Sequence, residues 1–214
     1  MSKPDFLCIG MQKGGTTWLY NVLKNHPQLG LLPAKELVYF NSYGIEEHKQ
    51  WPLYHRRRQA IQGLAHELNT GKNLDHNEDF FNRLRWYSKF SSTKVSKEWY
   101  ENLFDIAPDD AVKGDFTPDY IMLPCDIIRE IKNNYPNVKA IFSARSPIDR
   151  TWSHVKMIVR NEGHDLADES KIQGIIQRED VKRRGFFSED MKNWANVFDD
   201  NFFFYKFEYI KTSP

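Results

Sequence analysis

The tightest constraint on the fold lies near the start of the chain, where an apolar run, a glycine turn and a helical pattern follow in direct succession. Asp5-Phe6-Leu7-Cys8-Ile9 is too short for a helix and has the composition of a buried strand. It stops at Gly10 and passes into the polar turn Met11-Gln12-Lys13-Gly14-Gly15. From Thr16 to Asn25, Leu19, Val22 and Leu23 recur at helical spacing, and His26-Pro27 closes the helix. Strand, glycine turn and helix in that order open an α/β unit. The expected fold is therefore a central, mainly parallel sheet flanked by helices.

The same alternation returns in the second half. Asp126 to Asn134 places Ile127, Ile128 and Ile131 on one helical face, and Tyr135-Pro136 ends it. Val138 to Ala144 reads as a strand, and Arg145-Ser146-Pro147 turns into a helix whose first position suits Pro147. Ser188 to Val197 predicts a helix with Met191, Trp194 and Val197 inward, and Asn201 to Phe207 a final aromatic strand. Glu36-Leu37-Val38-Tyr39-Phe40 reads as a further strand. Residues 42–110 have weak helical periodicity and no clear strand, and are expected as helices and loops inserted above the sheet. Trp18, Phe104 and Trp152 are expected in the core.

Composition narrows the class. A chain of 214 residues suits one α/β domain, and 40% hydrophobic with 14% aromatic content excludes a disordered polymer. With 30 Lys+Arg against 29 Asp+Glu, it lacks the basic excess of a nucleic-acid coat or an anionic-membrane binder. No stretch approaches the roughly 18–20 apolar residues that span a bilayer. The apolar segment before Gly10 is too short for a signal-peptide core. Cys8 and Cys125 stand apart, without the spacing of a zinc or disulfide framework. The expected address is cytoplasmic, with no metal, nucleic acid or membrane partner. The sequence carries no signal of oligomeric state.

Two segments carry chemistry. In Gly10-Met11-Gln12-Lys13-Gly14-Gly15-Thr16-Thr17, glycines allow close backbone approach to an anion and the following helix presents free amides. Lys13 adds charge, and Thr16 and Thr17 add hydroxyls. An ATPase loop places lysine after the second glycine, directly before Ser/Thr. Here Lys13 precedes the glycine pair, which argues against that loop but still for a bound phosphate. The plain alternative is a helix start with a solvated lysine. In the second segment, Arg145 stands at a strand's C-terminal edge, where open α/β sheets bind ligands, and Ser153 lies on the helix beyond it. The alternative there is a surface ion pair. Two anion sites at two strand ends suggest a ligand with two separated phosphates.

Together these segments resemble the 5′-phosphosulfate loop and the 3′-phosphate site of sulfotransferases that use 3′-phosphoadenosine 5′-phosphosulfate (PAPS). The likeness continues through Asn25-His26-Pro27, Lys35-Glu36-Leu37-Val38-Tyr39-Phe40, Gly114-Asp115-Phe116-Thr117-Pro118-Asp119-Tyr120 and Arg145-Ser146-Pro147-Ile148-Asp149-Arg150 with Ser153. It ends with Gly185-Phe186-Phe187 through Trp194, and with Phe202 to Ile210. It is nearest to the glycan-modifying and bacterial branch, and it implies a P-loop-like sulfotransferase domain over residues 1–214. Members usually continue into further helices and a basic loop closing over the 3′-phosphate, so the C-terminal part of the family domain is expected to be absent here.

The resemblance implies that Lys13, Gly14, Gly15, Thr16, Thr17 and Trp18 hold the phosphosulfate, and that Arg145 and Ser153 hold the 3′-phosphate. Lys13 then stabilises charge on the departing oxygen, Glu36 is the base and Lys35 a second cation. PAPS is the co-substrate and PAP the product, with no metal. The acceptor is a hydroxyl or amine of a carbohydrate or small metabolite. His48, His55, His66 and His76 are rival bases, because the cytosolic small-molecule branch uses histidine; each reads otherwise as a surface or packing residue. Asp115 stands where the family commonly has glutamate and is expected to support the site. Trp51, Tyr54 and Arg56-Arg57-Arg58 form either an acceptor platform or a solvated basic face. A nucleotide or nucleoside kinase and a non-catalytic PAP-binding module are the alternatives.

Overall fold

The computed structural model describes residues 2–44, 51–70 and 78–211. The chain runs β1 (Phe6–Gly10), α1 (Thr16–Leu23), a single turn α2 (Asn41–Gly44), α3 (Trp51–Thr70), α4 (Glu78–Phe90), α5 (Lys97–Asn102) and β2 (Gly114–Phe116). It continues with α6 (Cys125–Asn134), β3 (Lys139–Ala144), α7 (Pro147–Asn161), α8 (Glu169–Gln177), α9 (Glu179–Gly185), α10 (Ser188–Phe198) and β4 (Phe202–Lys206). The four strands form one parallel sheet in the order β2-β1-β3-β4. Parallel neighbours require crossovers, and α-helices supply them, so this is a single α/β domain.

β1 is buried along its whole length, and its alternating side chains separate two layers. Phe6 and Cys8 pack with Phe116 of β2 and with Tyr20, Leu19 and Leu23 of α1. Leu7 and Ile9 face the larger core, which includes Phe142 of β3, Ile128 and Ile131 of α6, and Trp194 and Phe198 of α10. Trp194 is fully buried, and its indole N–H donates to the Tyr120 carbonyl at 3.1 Å. Met191 and Val197 pack at the margin of this core. Trp86, Phe90, Tyr100 and Phe104 bring α4, α5 and the turn after it into the same core. A separate cluster of Val155, Ile158, Val159, Ile175 and Val181 ties α7 to α8 and α9, two helices that the sequence reading did not claim.

Glu36–Phe40 is not a strand. Leu37, Val38, Tyr39 and Phe40 are all buried, as they would also be in a strand of this sheet. Glu36 and Val38 take left-handed backbone conformations (φ 59° and 48°), which a pleated strand does not contain. The core expectation holds for Phe104 but not for Trp18 or Trp152, which are 41% and 43% exposed. Val22 likewise faces outward, whereas Tyr20 and Thr16 are the buried residues of α1. The arginine run splits. Arg57 and Arg58 are exposed, but Arg56 is buried, stacks over Trp99 at 5.0 Å and donates to Ser42 Oγ at 3.2 Å.

Candidate active site

The C-terminal ends of the four strands open onto one cleft of about 560 Å³, to which the segments after them contribute Lys13, Pro118, Arg145 and Phe207. Carboxyl ends of parallel strands are where such sheets bind ligands, because the chain leaves the sheet there and loops and helix starts converge. Lys13, Gly15, Thr16, Thr17, Lys35, Glu36, Arg145 and Ser153 all line this cleft. Gly14 lies beneath it, and Trp18 points away from it.

The loop after β1 is fixed from below. The Gly14 N–H donates to the Met11 carbonyl at 2.8 Å, the Met11 N–H donates to the Ser143 carbonyl at 3.2 Å, and Ser143 Oγ donates to the Gly14 carbonyl. Gly15 has φ 88°, and a Cβ there would lie 2.2 Å from the Phe207 ring, so the position requires glycine on two counts. The same ring carries Arg145, whose guanidinium stacks over it at 5.0 Å and donates to the Lys13 carbonyl at 3.0 Å. Glu208, the next residue, accepts from the Ser146 N–H at 2.9 Å. Arg150, in the same segment as Arg145, turns inward and is fully buried.

Electrostatically the cleft suits an anion. Burial lowers the Lys13 ammonium below its ordinary pKa of 10.5, and Arg160, Arg145, Lys156 and Lys35 push it further down. Burial lowers Lys35 as well, and Glu36 partly offsets this. Lys35 Nζ donates to Thr17 Oγ1 at 2.6 Å and stands 3.9 Å from Glu36 Oε1. Among the described residues the lining cations outnumber the lining carboxylate of Glu36, so an anionic ligand would relieve their repulsion.

Glu36 is held by a buried hub. Its N–H donates to the Phe116 carbonyl at 2.8 Å. The Tyr39 N–H donates to Tyr120 Oη at 3.1 Å. Asp115 sits at the centre of the hub, accepting from Thr117 Oγ1 at 2.7 Å, Tyr120 Oη at 2.8 Å and Tyr100 Oη at 3.1 Å. The Leu37 amide adds a fourth bond to it. Burial nevertheless outweighs these bonds and raises the Asp115 carboxyl from 3.8 to about 6. Asp115 therefore supports the loop carrying Glu36 and does not line the cleft.

The sequence comparison then decides the family, for the chain matches the sulfotransferase family model over residues 4–214. This chain belongs to the sulfotransferase family. It is 26% identical over 167 residues to the membrane-associated sulfotransferase kil1 of Dictyostelium discoideum, an alignment covering 76% of this chain and 26% of that protein. The chain thus spans about a quarter of the length of this curated relative. Among solved structures, a sulfotransferase from Alicyclobacillus acidocaldarius has the same fold, with a TM-score of 0.63 and 19% identity over 100% of this chain and 77% of that one.

Within this sulfotransferase-family cleft, one of the four rival bases comes forward in place of the surface or packing role otherwise expected of it. His55 of α3 lines the cleft, with its Nε2 3.1 Å from Glu36 Oε2. The cue was weak: Trp51 and His55 stand at i, i+4, which puts both on one helical face but does not say what that face meets. His66 lines a different cavity, against Arg83 and Tyr87. His48 and His76 lie outside the described residues. Trp51 lines the cleft, whereas Tyr54 does not and is 66% exposed. Among the described residues, no helix is long and apolar enough to cross a membrane.

Proposed function

We propose that this chain transfers a sulfuryl group from PAPS to a hydroxyl, or an amine, of a carbohydrate or small-metabolite acceptor, releasing PAP. One observation carries the reading: Arg145 donates to the Lys13 carbonyl, so the loop and the arginine form one cationic wall with Ser153 beside it. A donor with separated 5′ and 3′ phosphates matches a cleft that offers cations at both places. When bound, PAPS supplies an electrophilic sulfur and a phosphate leaving group.

In this reading Gly15, Thr16 and Thr17 line the phosphosulfate with Gly14 supporting them from beneath, Trp18 has no contact with it, and Arg145 and Ser153 take the 3′-phosphate. The Lys13 ammonium stands where negative charge would grow on the leaving oxygen. Its depressed pKa marks it as poorly compensated before an anion arrives, which is the condition for strong electrostatic stabilisation. Glu36 accepts the acceptor's proton, and Lys35 holds Thr17 while standing beside that carboxylate. No step calls on a metal. The two free cysteines, Cys8 and Cys125, fit a reducing compartment, and on that ground the proposed address is cytoplasmic.

Calorimetry with PAP and with ATP tests the assignment. PAP binding without magnesium is the expected result; magnesium-dependent ATP binding in its place would restore the kinase alternative. A transfer assay with labelled PAPS over glycan, phenol, lipid and peptide acceptors then identifies the acceptor class.

A further inference from the structure

The face of α3 toward the cleft places Trp51, His55 and Gln59 at i, i+4 and i+8. Trp51 stacks on the His55 ring, with centroids 4.8 Å apart and planes at 27°. His55 Nε2 lies 3.1 Å from Glu36 Oε2 and 2.5 Å from Gln59 Nε2. The other Glu36 oxygen faces Lys35, and Lys35 reaches Thr17. One polar chain therefore runs His55–Glu36–Lys35–Thr17, from the inserted helix to the first turn of α1.

We infer that His55 is a positioning residue for Glu36: its Nε2–H holds one carboxylate oxygen so that the other is aimed at the acceptor's hydroxyl. This rests on the sulfotransferase reading above and adds a residue to it. A Glu36 side chain on a left-handed backbone, partly exposed in the lining of a cleft, has several rotamers open to it. A single hydrogen bond from a ring that is itself fixed by stacking removes most of them. With the proton on Nε2 donated to Glu36, the Gln59 amide nitrogen at 2.5 Å would face that hydrogen as a second donor, so the Gln59 amide must turn over to present its oxygen; amide orientation is set by such networks. Neither Trp51 nor Gln59 is needed to touch the acceptor for this to work. During transfer the acceptor oxygen bonds to sulfur, the sulfur–oxygen bond to the 5′-phosphate breaks, and the electron pair leaves on that phosphate oxygen. The acceptor's proton passes to Glu36, and His55 keeps its own.

The test is a double-mutant cycle on kcat, joined to two measurements that do not depend on turnover. Glu36→Gln is expected to lower kcat about 10²- to 10⁴-fold, the usual contribution of a general base. His55→Phe in the wild-type background should lower kcat about tenfold or more and leave the PAP dissociation constant within about twofold, because the histidine acts through Glu36 alone. In the Glu36→Gln background, His55→Phe should change kcat by less than about twofold. His55→Gln returns a donor near the Nε2 position and should recover part of the loss. NMR of ¹⁵N-histidine protein should show the His55 Nε2–H signal displaced in Glu36→Gln.

Multiplicative losses in the double variant, an unchanged kcat in His55→Phe, or an unmoved histidine signal each overturn the inference while the sulfotransferase reading stands. Failure of the wild-type protein to bind PAP overturns that reading, and this inference with it.

Discussion

Replacing Asp115 by asparagine should change how stability depends on pH, with a sign that follows from burial. In the folded chain this carboxyl sits at about 6 rather than 3.8, so the native state prefers its protonated form. Between those values the native state binds more protons than the unfolded chain, and stability falls as pH rises through the window. The full difference is about 3 kcal/mol at 1.36 kcal/mol per pH unit. Writing out the two proton equilibria, about 2 kcal/mol of it appears between pH 7 and pH 4.5. The asparagine side chain has no proton to bind, so wild type should gain those 2 kcal/mol over Asp115→Asn on acidification.

Urea melts of both proteins at pH 4.5, 5.5, 6.5 and 7.5 measure this directly, and other titrating groups cancel in the difference. In thermal melts the same gain corresponds to roughly 4–8 °C for a chain of this size. The readout is the slope of the difference. Loss of the capacity to accept all three hydroxyls in the variant shifts every point alike. Parallel curves, or a difference that moves toward the variant in acid, would refute the account of Asp115 as a carboxylate whose hydrogen bonds do not offset its burial.

Three further outcomes are expected. Lys13→Ala should lower kcat about 10²- to 10³-fold in a labelled-PAPS assay, and retained turnover would remove the lysine from the charge-stabilising role. Arg145→Ala should weaken PAP about 10- to 100-fold by calorimetry, the contribution of a charge-assisted hydrogen bond, while adenosine 5′-phosphate changes little. Equal losses for both nucleotides would show that the arginine does not read the 3′ position. Gly15→Ala should lower Tm by more than the roughly 2–8 °C that a left-handed backbone costing about 1–2 kcal/mol accounts for, because a collision against Phe207 is added to it. Gly163→Ala, which also has a positive φ (70°) but meets open space, should cost only the backbone part.

What could be read from the residues was what local pattern determines. β1, its glycine loop and α1 are contiguous, as are β3, Arg145 and α7, and in each the hydrophobic period and the breaker residues lie within a few positions of one another. Glu36–Phe40 failed because a short apolar run looks the same whether it alternates across a pleat or is wound through the core. The groups that decide, Thr117 and Tyr120, arrive from 79 and 81 residues away in sequence. Arg56 illustrates the same limit: its neighbours in the run are solvated, whereas Trp99 of α5 and Ser42, both distant in sequence, meet it where it is buried. The aromatic type of Trp18 and Trp152 carried no information on which side of their helices they occupy. The His55–Glu36 pairing depends on where the long helix α3 crosses the site, which no spacing in the chain encodes.

Phe207 has a consequence for ligand choice. One ring closes against Gly15 of the first loop and supports the Arg145 guanidinium, so it acts as a fixed spacer between two places that the chain reaches by separate crossovers. If the ring shrinks, both places lose their reference at once. Phe207→Leu should therefore narrow the gap in affinity between nucleotides with one phosphate and with two, rather than weaken both in proportion. Selectivity for a twice-phosphorylated nucleotide would then reside in a side chain that carries no charge at all.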